Sequence, residues 1–189
     1  QLREVGVVRE LNHDWIPNVN KYLMGDVKNI VLDTGYKNMV TVFFSLNGYG
    51  INTNFVDEND PLMGTWAFIF ENAPEYGDTM VLKENMFRVI GSTLMYLGYS
   101  CSSDDEEELN EAKEALLKLK PHIMAFESWP RRLILEEECY VTWPHSTADF
   151  YELYNEGPMP TLKTYLPEEG AMQGVGCLIL YKPGPHPAA

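Results

Sequence analysis

Along this chain short apolar runs alternate with stretches whose apolar residues recur every three or four positions, a strand-and-helix alternation. Runs rich in β-branched and aromatic residues predict strands at Val5–Val8, Met39–Phe44, Tyr49–Asn52, Thr79–Leu82, Ile123–Phe126, Cys139–Trp143 and Gly174–Tyr181. The polar stretch Asn12-His13-Asp14 predicts a turn after the first, and Leu46-Asn47-Gly48 one between the second and third. Between the strands lie the helices. Pro61–Phe70 is predicted helical, with Asp60 as its cap and Pro61 at its first position. From about Asn85 to Leu97, the residues Met86, Val89, Ile90, Thr93, Leu94 and Leu97 fall on one helical face, and Gly98 can end it. The next helix carries the strongest signals. Ser102 or Ser103 caps it, Asp104 to Glu108 crowd its positive end, Lys118 and Lys120 sit at its negative end, and Pro121 stops it. Its buried stripe is Leu109, Ala112, Leu116 and Leu119. Pro130–Glu137 and Ser146–Asn155 are the remaining helices, the latter with Ser146 and Asp149 as a capping box and Gly157 at its end.

This alternation predicts an α/β fold: three layers, a mostly parallel central sheet and helices on both faces. Ligand groups on such a sheet belong at the carboxyl ends of the strands. The 189 residues can bury a real core, and 45% hydrophobic with 22% charged residues is a globular rather than a disordered composition. Lys+Arg total 14 against Asp+Glu 28, a formal net charge of −14 that argues against nucleic acid as a partner. That charge suits a cationic ligand, and it suits solubility equally well. No apolar run approaches the ~20 residues of a membrane span.

Catalytic signatures are missing. The sequence has no phosphate loop, no GxGxxG, no GxSxG elbow and no HExxH. Cys101, Cys139 and Cys177 are far apart and show no metal-ligand spacing, and His13, His122, His145 and His186 are scattered. Cys139 and Cys177 lie in apolar runs, which predicts structural thiols. A Cys139–His145 pair has no third orienting residue. The expectation is a binding module without catalytic residues, cofactor or metal, rather than an enzyme.

Several segments, taken in order, resemble the spermidine/putrescine-binding family of periplasmic solute receptors of ABC transporters. They begin with Leu11-Asn12-His13-Asp14-Trp15-Ile16-Pro17-Asn18, then Pro74-Glu75-Tyr76, Met80-Val81-Leu82, Val89-Ile90-Gly91 and Leu97-Gly98-Tyr99-Ser100. The acidic helix, Pro121 to Ser128, Val141-Thr142-Trp143, Pro167-Glu168-Glu169-Gly170 and the stretch from Lys182 to Ala189 continue the series. The resemblance implies one lobe of a type II periplasmic-binding-protein fold. Residues 1–38 would leave a first lobe, 39–181 would form the second ligand-binding lobe, and 182–189 would begin a C-terminal region, the chain being cut at both ends. It further implies an interlobe solute, a polyamine or a related small polar molecule, a membrane permease as partner, and a periplasmic or extracellular location.

The same resemblance locates the site and its departures. Trp143 matches an aromatic wall of the ligand, with a core tryptophan at a strand end as the alternative. Asn85 and Arg88 stand where the family places acidic contacts, and Gly174 and Gly176 where it places a tryptophan and an aspartate. Glu84 could replace one acid, and Gln173 could supply a neutral hydrogen bond. An ammonium desolvated without a carboxylate is costly, so these positions weaken a polyamine as the ligand. A stand-alone sensing or interaction domain that kept the fold and lost polyamine binding is one competing expectation. A small α/β hydrolase is the other.

Overall fold

The computed structural model describes residues 5–22, 36–146 and 161–182, together with Phe150, Leu153 and Met159. In chain order its elements are β1 (Val8–Arg9), α1 (Pro17–Tyr22), β2 (Met39–Asn52), α2 (Ala67–Glu71), α3 (Ala73–Tyr76), β3 (Met80–Leu82), α4 (Met86–Tyr96), α5 (Glu106–Leu119), β4 (Ile123–Phe126), α6 (Arg131–Leu135), β5 (Val141–Ser146), β6 (Leu162–Tyr165) and β7 (Gln173–Tyr181). Two compact units divide the chain, one of residues 1–44 with 175–189, the other of residues 45–174. Strands β2 and β7 run from one unit into the other.

In the smaller unit β1 pairs antiparallel with β7, Val8 opposite Tyr181. Leu11 N–H donates to the Lys37 carbonyl at 2.8 Å. A side chain on Gly176 would meet the Phe43 ring at 2.3 Å, so that ring fills the space beside the glycine.

The larger unit holds the α/β lobe. Strands β4, β3 and β5 are parallel to one another; β2 runs antiparallel to β5 and to β6, giving the order β6-β2-β5-β3-β4. The sheet is therefore mixed, with its parallel part at β4-β3-β5. Side chains alternate across it, as the pleat requires. Met80, Leu82, Val141, Trp143, Tyr49 and Ile51 enter one buried cluster with Trp66, Phe68, Ile69, Tyr76, Met95 and Leu119. Val81 and Leu162 enter the other, with Leu133, Ile134, Cys139, Phe150 and Leu153. Helical segments thus cover both faces, which is the three-layer lobe the pattern predicts.

Local departures have physical reasons. No turn interrupts residues 46–48; β2 runs unbroken through them. Asn47 is buried and its amide donates to the Met172 carbonyl at 2.7 Å, while Gly48 lets the Tyr165 carbonyl approach its backbone. Residues 61–66 form turns rather than helix, the Asp60 carboxylate accepting from Leu62 N–H at 2.7 Å, and α2 starts only at Ala67. Asp105, not Ser102 or Ser103, caps α5, accepting from the Glu107 and Glu108 amides. Of the expected stripe of α5, Ala112 and Leu119 are buried whereas Leu109 is 37% exposed. Ser146 ends β5 instead of capping a helix, and Asp149 and Gly157 lie outside the described residues.

Candidate functional site

The predicted corner is built where β3 and β5 end side by side. Leu82 pairs with Trp143 in parallel register, and Lys83 N–H donates to the Trp143 carbonyl at 2.7 Å. Asn85 N–H then donates to the Lys83 carbonyl at 2.8 Å, turning the chain into α4. Asn85 has extended backbone angles and its Oδ1 accepts from Arg88 N–H at 3.1 Å, so it is the helix cap. Asparagine and aspartate cap about equally well, so asparagine at this position keeps the helix while removing a negative charge.

Arg88, in the first turn of α4, is half-buried and reaches toward β7. Its Nη2 lies 3.6 Å from the point where a Cβ on Gly174 would stand, and the Ser45 Oγ lies 3.1 Å from the same point. The guanidinium and the hydroxyl thus both lie against the glycine, where a side chain would crowd the hydroxyl. Among the described residues neither the Arg88 guanidinium nor the Ser45 hydroxyl has a hydrogen-bond or ion-pair partner, although Ser45 is only 5% exposed.

The other expected residues are placed differently. Glu84 is exposed one residue before the cap, and Gln173 is exposed at the start of β7, where the pleat sends its side chain to the face opposite position 174. The Trp143 ring is fully buried, with ring centres 6.1 Å from Trp66 and 5.4 Å from Phe70 in edge-on arrangements. Its contribution to the corner is the carbonyl that holds Lys83, while the indole belongs to the core. Gly176 falls in the smaller unit.

Ser45 carries no sequence signal of its own beyond strand position: Ser45, Asn47, Tyr49 and Ile51 alternate along β2, the last two in the helix-side core. The Glu168-Glu169-Gly170 segment is structural. The Glu169 carboxylate accepts the Trp66 N–H at 2.9 and 3.1 Å, and the Gly170 carbonyl accepts the Trp66 indole N–H at 2.9 Å. Cys139 is buried, its thiol bonded to the Val141 carbonyl at 3.3 Å, and burial pushes its pKa up to about 12. Such a thiol supplies no nucleophile near neutral pH. Among the described residues no group of three or more His, Cys, Asp or Glu is arranged to hold a metal. No helix among them is long and apolar enough to cross a membrane. Two grooves lie elsewhere on the lobe. One of about 650 Å³ runs along α5 beside Glu71, Tyr96 and Glu111, and one of about 540 Å³ lies between α4 and α5.

The corner lies at the carboxyl ends of parallel strands, the end of such a sheet at which ligands bind. The chain is similar to bacterial polyamine-binding proteins. It is 26% identical over 199 residues to the putrescine/agmatine-binding protein of Pseudomonas aeruginosa, covering 98% of this chain and 54% of that protein. To the spermidine/putrescine-binding periplasmic protein of Salmonella typhimurium it is 26% identical over 128 residues, 68% of this chain and 35% of that one. Its fold matches the spermidine/putrescine ABC transporter substrate-binding protein of Streptococcus pneumoniae with a TM-score of 0.81 at 20% identity, over 96% of this chain and 54% of the other. No family model matches. The chain spans about half the length, or less, of these polyamine-binding relatives. The fold is that of a type II periplasmic binding protein lobe.

Proposed function

We propose that this chain is the solute-binding component of an ABC importer, or a large part of one, and that residues 45–174 carry one half of its solute site at the Asn85–Arg88 corner. The likeness to polyamine-binding proteins, in sequence and in fold, across nearly the whole chain carries the reading. On this reading residues 39–181 are the second lobe, 1–38 the exit from a first lobe and connecting segment, and 182–189 the start of a C-terminal region. A membrane permease is the partner, the location is periplasmic or extracellular, and the chain performs no chemistry on its cargo. Nitrogen-15 NMR of the purified chain tests this with putrescine, spermidine and a panel of other small polar solutes. Shifts should concentrate on the amides of Ser45, Asn85 to Val89 and Gly174. A panel in which no solute moves these amides overturns the reading.

A specific observation favours a second reading, a sensing or interaction domain that no longer binds polyamines. Arg88 stands beside Gly174, and Phe43 fills the space beside Gly176. Putrescine binding tighter than about millimolar, roughly 4 kcal/mol of free energy, excludes this second reading.

A further inference from the structure

The corner holds a positive charge where the resemblance calls for negative ones, and the structure shows what surrounds that charge. We propose that it receives an oxyanion group of a small solute, carboxylate or phosphate, with the Arg88 guanidinium and the Ser45 hydroxyl as its donors. This rests on the corner being the solute site. Both donors lie beside Gly174, the Ser45 Oγ 3.1 Å and the Arg88 Nη2 3.6 Å from where its Cβ would stand, and neither has a partner among the described residues. Ser45 is the telling one. The residue is only 5% exposed, and its hydroxyl, which has no partner among the described residues, lies beside an arginine that has none either, so one acceptor could bond both.

The backbone adds to the same sign. Asn85 already satisfies the amides of Arg88 and Val89, its side chain bonding the first and its carbonyl the second. Among the described residues the amides of Met86 and Phe87 have no partner, which leaves them as donors at the positive end of an eleven-residue helix. Arginine's planar fork matches carboxylate and phosphate alike, whereas an ammonium brought to it meets a like charge. Glu84 is the acid next along the chain, and its exposure lets water screen it.

The test titrates the whole chain with succinate, inorganic phosphate and putrescine, following the same amides by NMR. At least one anion should bind at least tenfold more tightly than putrescine, succinate leading if the group is a carboxylate and phosphate if it is a phosphoryl. Arg88→Gln should lose at least tenfold of that anion affinity and Ser45→Ala about threefold, both judged folded by their spectra. Arg132→Gln, an exposed arginine paired with Glu136 on α6, should change nothing. Putrescine binding more tightly than both anions overturns the inference and leaves the solute site standing. Anion binding untouched by Arg88→Gln overturns it as well. If none of the three binds the inference fails, and the wider solute panel then decides separately whether the corner is a solute site.

Discussion

Replacing Gly48 by alanine should be among the most damaging single-methyl additions to this protein. A Cβ there would sit 2.0 Å from the Tyr165 carbonyl oxygen and 3.0 Å from its carbon. That is about 1.5 Å short of an ordinary contact of about 3.5 Å, and the obstacle is backbone, which cannot rotate away. Strand β6 would have to withdraw, straining the ladder that pairs Tyr49 with Tyr165 and Ile51 with Lys163, and the Tyr49–Tyr165 ring stack at 5.4 Å. Overpacking of this kind costs about 1–3 kcal/mol, and weakened ladder hydrogen bonds add about 1–2 kcal/mol. The lower entropy of the unfolded alanine chain returns about 0.5 kcal/mol, so the net loss should be about 1.5–4.5 kcal/mol. Urea unfolding should show the midpoint falling by about 1 M or more. Gly176→Ala is the comparison. Its Cβ would overlap the Phe43 ring at 2.3 Å, but that ring is 59% exposed and can swing into solvent, so the loss should stay near or below about 1 kcal/mol. Equal losses from the two variants would refute the reasoning that fixed backbone, rather than overlap itself, sets the cost.

Glu169→Ala should lose about 1.5–3 kcal/mol in the same assay, because it strips a charged acceptor from the buried Trp66 N–H; Glu169→Gln should lose less. No loss from the alanine variant would mean that the carboxylate is dispensable. Trp143→Ala should cost about 3–5 kcal/mol as a core truncation, and a loss under about 1 kcal/mol would place the ring at a surface instead. With a thiol reagent at pH 8, exposed Cys101 should react at once while Cys139, its pKa pushed up to about 12 by burial, reacts only on unfolding; equal rates would contradict the buried position.

The parts of the fold legible in the sequence were those with local causes. Helix α4 announces itself through the spacing of Val89, Ile90, Thr93 and Leu94 and through the glycine at 98 that ends it, all within a dozen residues. Where the cause is distant, the sequence misleads. Leu46-Asn47-Gly48 has turn composition, yet Asn47 is there for the carbonyl of Met172, 125 residues away, and Gly48 for that of Tyr165. Pro61 likewise suggested a helix start, while the Asp60 side chain divides its bonds between Leu62 N–H and the amide of Asn72 and holds turns instead.

The site divides in the same way, and the division says where its specificity resides. Asn85 was legible as the start of a helix, and the structure adds that it is the cap. Helix α4 asks position 85 only for an oxygen that accepts from Arg88 N–H, and a neutral amide supplies it as well as a carboxylate would. A bound ammonium would ask the same position for a charge. The two demands are separable, so the corner can keep its shape while its preference changes sign. Position 174 repeats the point: a strand accepts glycine at a small cost, and both Arg88 and Ser45 lie against it. No spacing rule could bring Ser45, Arg88 and Gly174 together, since they come from two strands and a helix joined only by the folded sheet. In the proposed site the scaffold would thus be carried by residues whose roles survive substitution, and the choice of solute by a few positions that the scaffold leaves unconstrained. It is at those positions, and not in the core, that this chain departs from the polyamine-binding pattern it otherwise resembles.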